Sequence, residues 1–191
     1  MEIFLKIDET VFYALNNAIS NPVFDFLVII LTKKYLLFLM LVSVSVYAFR
    51  EGGRETRKAL FLAALALVLS DVSAQVIKEV FARARPCHTL KHVKILAECA
   101  ESFSFPSRHA TDIFGVMTAL AIYFRKYAKV FFAIAAAVAL SRVYAGVHYP
   151  ADVLFGAALG VLAAVGVSKL DTRYSAMFED KLKAFLLKFK R

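Results

Sequence analysis

The sequence predicts an all-α fold, a polytopic membrane helix bundle of about six transmembrane helices, and three observations lead there. Composition is the first: 60% of the 191 residues are apolar and 20% charged, and mean hydropathy is +0.65, more than one soluble core of this length holds. The second is spacing, because the apolar residues fall in runs close to the roughly 20 that cross a bilayer. The third is charge. Twenty-four Lys and Arg against 15 Asp and Glu give +9, and the cations sit between apolar runs. They do not form the solvated basic face that nucleic acid needs, so no nucleic-acid partner is expected. An ordinary soluble enzyme and a disordered chain are also excluded. Membrane lipids and phosphate-bearing groups are the partners such a balance suits, and no obligate protein partner is implied.

Taken in order, the first apolar stretch is Thr10–Leu31, interrupted by Asn16, Asn17, Ser20, Asn21 and Pro22. It reads as a broken span, the preferred reading, or as an interfacial helix followed by a short dipping segment. No secretory signal precedes it, since MEIFLKIDET is mixed in charge and no small-residue cleavage site follows. Tyr35–Phe49 is short and borrows Lys33 and Lys34 as snorkelling ends. Ala59–Ile77, Ser107–Phe124, Val130–Val147 and Pro150–Val167 are the remaining spans. In the last, Gly156 and Gly160 form a small-residue step suited to close packing within the molecule. Residues 1–170 read as the transmembrane domain and 171–191 as a basic amphipathic tail helix. In the tail, Phe178, Leu182, Phe185, Leu186 and Phe189 recur at helical spacing with lysines between them, which suits an anionic inner leaflet.

Basic residues also set orientation. Arg50, Arg54, Arg57 and Lys58 form one group, Arg125, Lys126 and Lys129 a second, and Lys169 with the six Lys and Arg of the tail a third. These mark the cytoplasmic side. Lys78–Pro106 and the turn at His148 then face outward, into the periplasm of an inner-membrane, multi-pass protein.

Of the cations on the depleted side, five cluster at the outer ends of spans: Lys78, Arg83, Arg85, Arg108 and Arg142. Any one is explained by snorkelling, but five are better explained by a shared anion, since fixed cations at reduced dielectric hold phosphate well. Pro106-Ser107-Arg108-His109 opens a span, where free N–H groups and the helix dipole attract that anion. His109 is placed there as a proton donor. Ser141-Arg142 precedes His148, and Asp152 follows it by four residues. On a helix this spacing lets the carboxylate orient one imidazole nitrogen and leave the other to attack.

These three blocks resemble the signature of the type 2 phosphatidic acid phosphatases, relatives of the vanadium haloperoxidases. Lys78 to Arg85-Pro86 matches the first block, Pro106-Ser107-Arg108-His109 the second, and Ser141-Arg142 through His148 to Asp152 the third. Arg108 stands where the family pattern has glycine. The resemblance implies a phosphatase-like core working without metal or other cofactor through a phosphohistidine intermediate. His148 would attack phosphorus, Asp152 would orient it, and His109 would protonate the leaving oxygen. Lys78, Arg85, Arg142, Ser107 and Ser141 would bind the phosphate, with Arg108 reaching either a second anionic group or the headgroup layer. The implied substrate is a lipid phosphate or diphosphate, leaning to lipid A 1-phosphate, with undecaprenyl diphosphate or phosphatidylglycerol phosphate as alternatives. A phosphate or phospholipid transporter is the rival class.

Around this site, Asp71 shares a helical face with Gln75 and Lys78 and is expected to support the lysine. Asp112, one turn after His109, is expected to hold that histidine or an arginine; ordinary interhelical pairing is the alternative for both. Cys87 and Cys99 flank the outward segment and are disulfide candidates in an oxidising compartment. A zinc site with His88 and His92, or two free thiols, are the other readings.

Overall fold

The computed structural model describes residues 2–32, 42–43, 45–46, 48 and 50–188, without the side chains of 2, 31–32 and 172–188. Every regular element among them is helical. The N-terminal apolar stretch forms α1 (Glu2–Tyr13), a π turn (Ala14–Ala18) and α2 (Pro22–Thr32). Over the described residues these helices run for 12 and 11 residues, roughly 18 and 16 Å at 1.5 Å per residue, and neither described length crosses a bilayer alone. The break is specified by asparagines. Asn16 is fully buried; its Nδ2 donates to the carbonyls of Lys94 and Tyr144 at 2.8 Å, and its Oδ1 accepts from Lys94 N–H at 2.9 Å. Asn21 caps α2 by accepting from Phe24 N–H at 3.0 Å, with Pro22 in the first turn.

Helix α3 (Arg54–Phe81) is 28 residues long and stops at Ala82, whose φ of 44° is left-handed. A short α4 (Pro86–Thr89) follows. After the outward segment come α5 (Arg108–Tyr123), a 3-10 turn (Arg125–Tyr127), α6 (Ala128–Tyr144) and α7 (Pro150–Lys188). Three described stretches are long and apolar enough to cross a membrane: Arg54–Thr89, Arg125–Tyr144 and Pro150–Asp171. The expected six spans are therefore not all found. Tyr35–Phe49 lies largely outside the described residues. Ser107–Phe124 forms only the 16-residue α5, which sits at the centre, packed against α3, α6 and α7. A central helix reaches its neighbours and need not match the full thickness of the lipid.

The bundle is small-residue inside and large-apolar outside. Ala63, Ala66, Ala119 and Ala164 form one interior cluster, while Phe61, Val68, Val72, Val76 and Leu162 are exposed. With no water to exclude between helices, close backbone approach supplies the packing, and the large side chains meet lipid. Gly160 is where α7 comes nearest α5: a Cβ there would stand 2.2 Å from the Thr111 carbonyl oxygen. The expected intramolecular role of the Gly156/Gly160 step is what is found.

Helix direction fixes the two ends. Lys58 at the start of α3 pairs with Asp171 at 2.8 Å, and Asp171 accepts from Tyr123 Oη at 3.0 Å. At the other end, Ser107 N–H donates to the Asp152 carbonyl at 2.9 Å, and Lys78 closes α3. In the backbone, α7 runs unbroken across residue 170 to Lys188; the side chains of the expected amphipathic tail lie outside the described residues.

Candidate functional site

His148 lies in the turn between α6 and α7 and is buried. Its Nε2 lies 3.1 Å from Arg85 Nη1. A guanidinium only donates, so Nε2 is the unprotonated acceptor and the imidazole proton sits on Nδ1. Asp152, in the first turn of α7, presents Oδ2 to that Nδ1 at 3.6 Å, an electrostatic contact longer than a hydrogen bond. Ser104 Oγ stands 3.5 Å from the same nitrogen and donates to Asp152 Oδ2. Tyr149 N–H donates to Oδ2 at 2.8 Å. Burial pushes the His148 pKa down to about 4, against the pull of Asp152 in the other direction. At neutral pH the ring is therefore uncharged.

Around it stand three buried cations. Lys78, at the end of α3, donates to the carbonyls of Phe103 at 2.6 Å and Ser104 at 3.4 Å. Arg85 Nε donates to the Ser102 carbonyl at 2.7 Å, Nη1 to the Val147 carbonyl at 3.0 Å and Nη2 to Ser102 Oγ at 3.0 Å. Arg142, in the last turn of α6, is within electrostatic reach of Arg85, as are Lys78 and His148. The buried Nε of Arg142 and Oγ of Ser107 have no hydrogen-bond partner among the described residues. Buried donors are normally satisfied, so two unsatisfied ones beside three cations describe a cradle for an anion.

The second sequence block joins this cluster through the Ser107–Asp152 backbone bond. It places His109, half-buried in the first turn of α5, at the same end as His148. Ser141 is nearby but its hydroxyl donates to the Val138 carbonyl at 2.6 Å, so its proton is spent inside α6. Arg108 is half-exposed and pairs with Asp71 at 2.9 Å. That corrects the expected support of Lys78 by Asp71: the lysine reaches over to loop carbonyls, and the aspartate faces the new arginine. Asp112 lies within electrostatic reach of Asp71 and Arg108, and its buried Oδ1 has no hydrogen-bond partner among the described residues. Cys87 and Cys99 form a disulfide, which leaves no thiolate for zinc. It ties the segment that carries Ser102 and Ser104 back to α4.

Sequence reasoning missed Asp8, Ser102 and Ser104. The two serines lie in a loop with no periodic signal. Asp8 sits 75 residues before Arg83, the side chain it pairs with at 2.6 Å.

Such an assembly, a neutral imidazole held against a carboxylate and ringed by fixed cations at one end of a lipid-facing bundle, defines a membrane hydrolase of phosphate esters. Known proteins agree. Residues 59–175 match the PAP2 superfamily, more than half of the chain, and the protein belongs to that superfamily as a membrane lipid phosphatase. It is 32% identical to the "Bacitracin transport permease protein BcrC" of Bacillus licheniformis over 147 residues, covering 77% of this chain and 70% of the relative. A "Lipid A 4'-phosphatase" of Porphyromonas gingivalis is 26% identical over 180 residues, 89% of this chain and 75% of that one. Among solved structures, Aquifex aeolicus LpxE superposes with a TM-score of 0.69 at 26% identity, covering 84% of this chain and 93% of the other.

Proposed function

We propose that the protein removes phosphate from a lipid phosphate or diphosphate at the periplasmic face of the inner membrane, through a covalent phosphohistidine on His148. The observation that carries this is the neutral His148 Nε2 held at 3.1 Å by Arg85. The lone pair that would attack phosphorus already faces a group built to bind phosphate oxygen. On substrate entry Arg85 passes to a non-bridging oxygen and frees Nε2 for in-line attack. Lys78, Arg142 and the N–H groups opening α5 share the charge developing on the phosphoryl oxygens, stabilisation that is strong where water is excluded. Asp152 stabilises the imidazolium as the N–P bond forms. His109 gives its proton to the leaving oxygen and then takes one from the water that hydrolyses the intermediate.

Lipid A 1-phosphate is the proposed substrate, supported by 35% identity over 98 residues to a "Lipid A 1-phosphatase" of Rhizobium etli, 49% of this chain and 42% of that one. One feature favours a second reading, undecaprenyl diphosphate. Arg108, beside His109 and paired with the half-buried Asp71, is a further cation for a second phosphate. The experiment is phosphate release by purified protein from lipid A, undecaprenyl diphosphate, phosphatidylglycerol phosphate and phosphatidic acid, with and without chelator. Turnover that survives chelator and is lost in H148A supports this reading. Turnover unchanged in H148A contradicts it, and no phosphate release from any of the four lipids favours a transport role, the kind that the name of the Bacillus relative carries.

A further inference from the structure

Helix α1 lies outside the segment that matches the superfamily, yet it delivers a buried carboxylate to the site. Ile3, Phe4, Ile7 and Val11 are exposed along it, while Asp8 and Phe12, one turn apart, are buried. Phe12 fixes the helix by packing with Ala139, Val143, Tyr149 and Val153. Asp8 is thereby aimed at the start of α7, and both its oxygens are used. Oδ1 accepts from Ala151 N–H at 2.8 Å, and Oδ2 accepts from Arg83 at 2.6 Å. The other arm of Arg83 donates to Asp152 Oδ1 at 2.8 Å, and its guanidinium lies 3.8 Å over the Tyr149 ring.

We infer that Asp8 is a positioning residue for the hydrolase, acting through Arg83 to set the Asp152 carboxylate against His148. The inference rests on the reading of His148 as nucleophile. Its logic is one of shared charge and fixed direction. Arg83 engages Oδ1 of Asp152 and leaves Oδ2 to Ser104, Tyr149 N–H and His148. One guanidinium between two carboxylates cannot neutralise both. Asp8 therefore draws part of the Arg83 charge away, and Asp152 keeps enough negative character to stabilise an imidazolium. Without the Asp8 charge, Arg83 is spent wholly on Asp152, and nothing anchors its far arm. Accepting the Ala151 N–H also lets Asp8 cap α7 from another helix, so the turn bearing His148 is held from both sides.

The test compares full-length D8N, D8E, R83Q and the double variant D8N/R83Q, purified in detergent, by hydrolysis of dioctanoyl phosphatidic acid in mixed micelles. Turnover is expressed per folded molecule, with the folded fraction read by size-exclusion chromatography. D8N keeps the size of the side chain and an oxygen for Ala151 but loses the charge. It is expected to lower kcat roughly tenfold with KM nearly unchanged, the scale of a small misplacement of catalytic groups. D8E is expected to recover most of that loss, and D8N to cost nothing further when R83Q is already present. Wild-type kcat in D8N, or losses that multiply in the double variant, would overturn the positioning role. Full turnover in H148Q overturns the reading of the site itself.

Discussion

Placing a single methyl group between two helices tests the link from packing to chemistry. A Cβ on Gly160 would lie 2.2 Å from the Thr111 carbonyl oxygen and 2.8 Å from Gly115 N. An ordinary carbon–oxygen contact is about 3.3 Å, so G160A lacks roughly 1 Å of room. Both obstacles are helix backbone and cannot rotate aside, so α5 and α7 must part. Those are the helices joined at the site by Ser107 N–H to the Asp152 carbonyl at 2.9 Å; one carries His109 and the other Asp152. Overpacking of this kind costs about 1–3 kcal/mol, and a displacement near 1 Å at reacting groups costs on the order of a hundredfold in rate. Gly166 is the internal control, since a Cβ there meets nothing within 4 Å, and alanine is the better helix former by up to about 1 kcal/mol. Phosphate release and thermal unfolding in detergent are measured for G160A and G166A together. G160A is expected to lose stability and nearly all turnover while G166A loses neither. Indistinguishable variants would refute the argument that this contact sets the spacing of the site.

Acid should destabilise the fold in a definite window. The folded chain holds His148 at about 4, whereas in the unfolded chain it titrates near 6.5. The unfolded state therefore binds the extra proton first, so its contribution is nil above pH 6.5, grows as pH falls and levels off below pH 4. The full effect is on the order of 3 kcal/mol. The difference in melting temperature between wild type and H148Q should follow that profile, and parallel curves would contradict it. Asn16 gives a stability prediction away from the chemistry. N16A strands two carbonyls and an N–H that Asn16 now satisfies, at about 1–3 kcal/mol for each group that stays dry. Melting temperature should fall by several degrees, and an unchanged value would remove Asn16 from its role as the latch of the N-terminal hairpin.

Much of the site was legible because its chemistry needs unusual residues in unusual places. Five cations on the side that membrane proteins deplete of charge have few innocent explanations, and Lys78, Arg85 and Arg142 gather near His148. The four-residue step from His148 to Asp152 does bring the pair together, though His148 lies in the turn before α7 and not on the helix that the spacing assumed. Span counting was less secure. Ser107–Phe124 reads as a membrane crossing by hydropathy, and the α5 it forms is only 16 residues long, yet it reaches from Ser107 at the site end to Tyr123 at the Asp171 end. Thr10–Leu31 was ambiguous for a physical reason: the asparagines that interrupt it are buried latches whose partners, Lys94 and Tyr144, lie far along the chain. Asp71 was assigned to Lys78 from helical spacing alone, which sees only one helix. Its partner Arg108 comes from another. Asp8 had no local signal at all, since its meaning exists only once α1 is packed against the start of α7.

The central claim is that His148 becomes covalently phosphorylated during turnover. Rapid quenching of the protein with a lipid phosphate labelled on phosphorus, followed by peptide mapping, measures this directly. The account predicts an alkali-stable, acid-labile label on the peptide containing His148, formed and lost within a turnover and missing in H148Q. Burst turnover with no labelled histidine, or label on a carboxylate or hydroxyl instead, would contradict it.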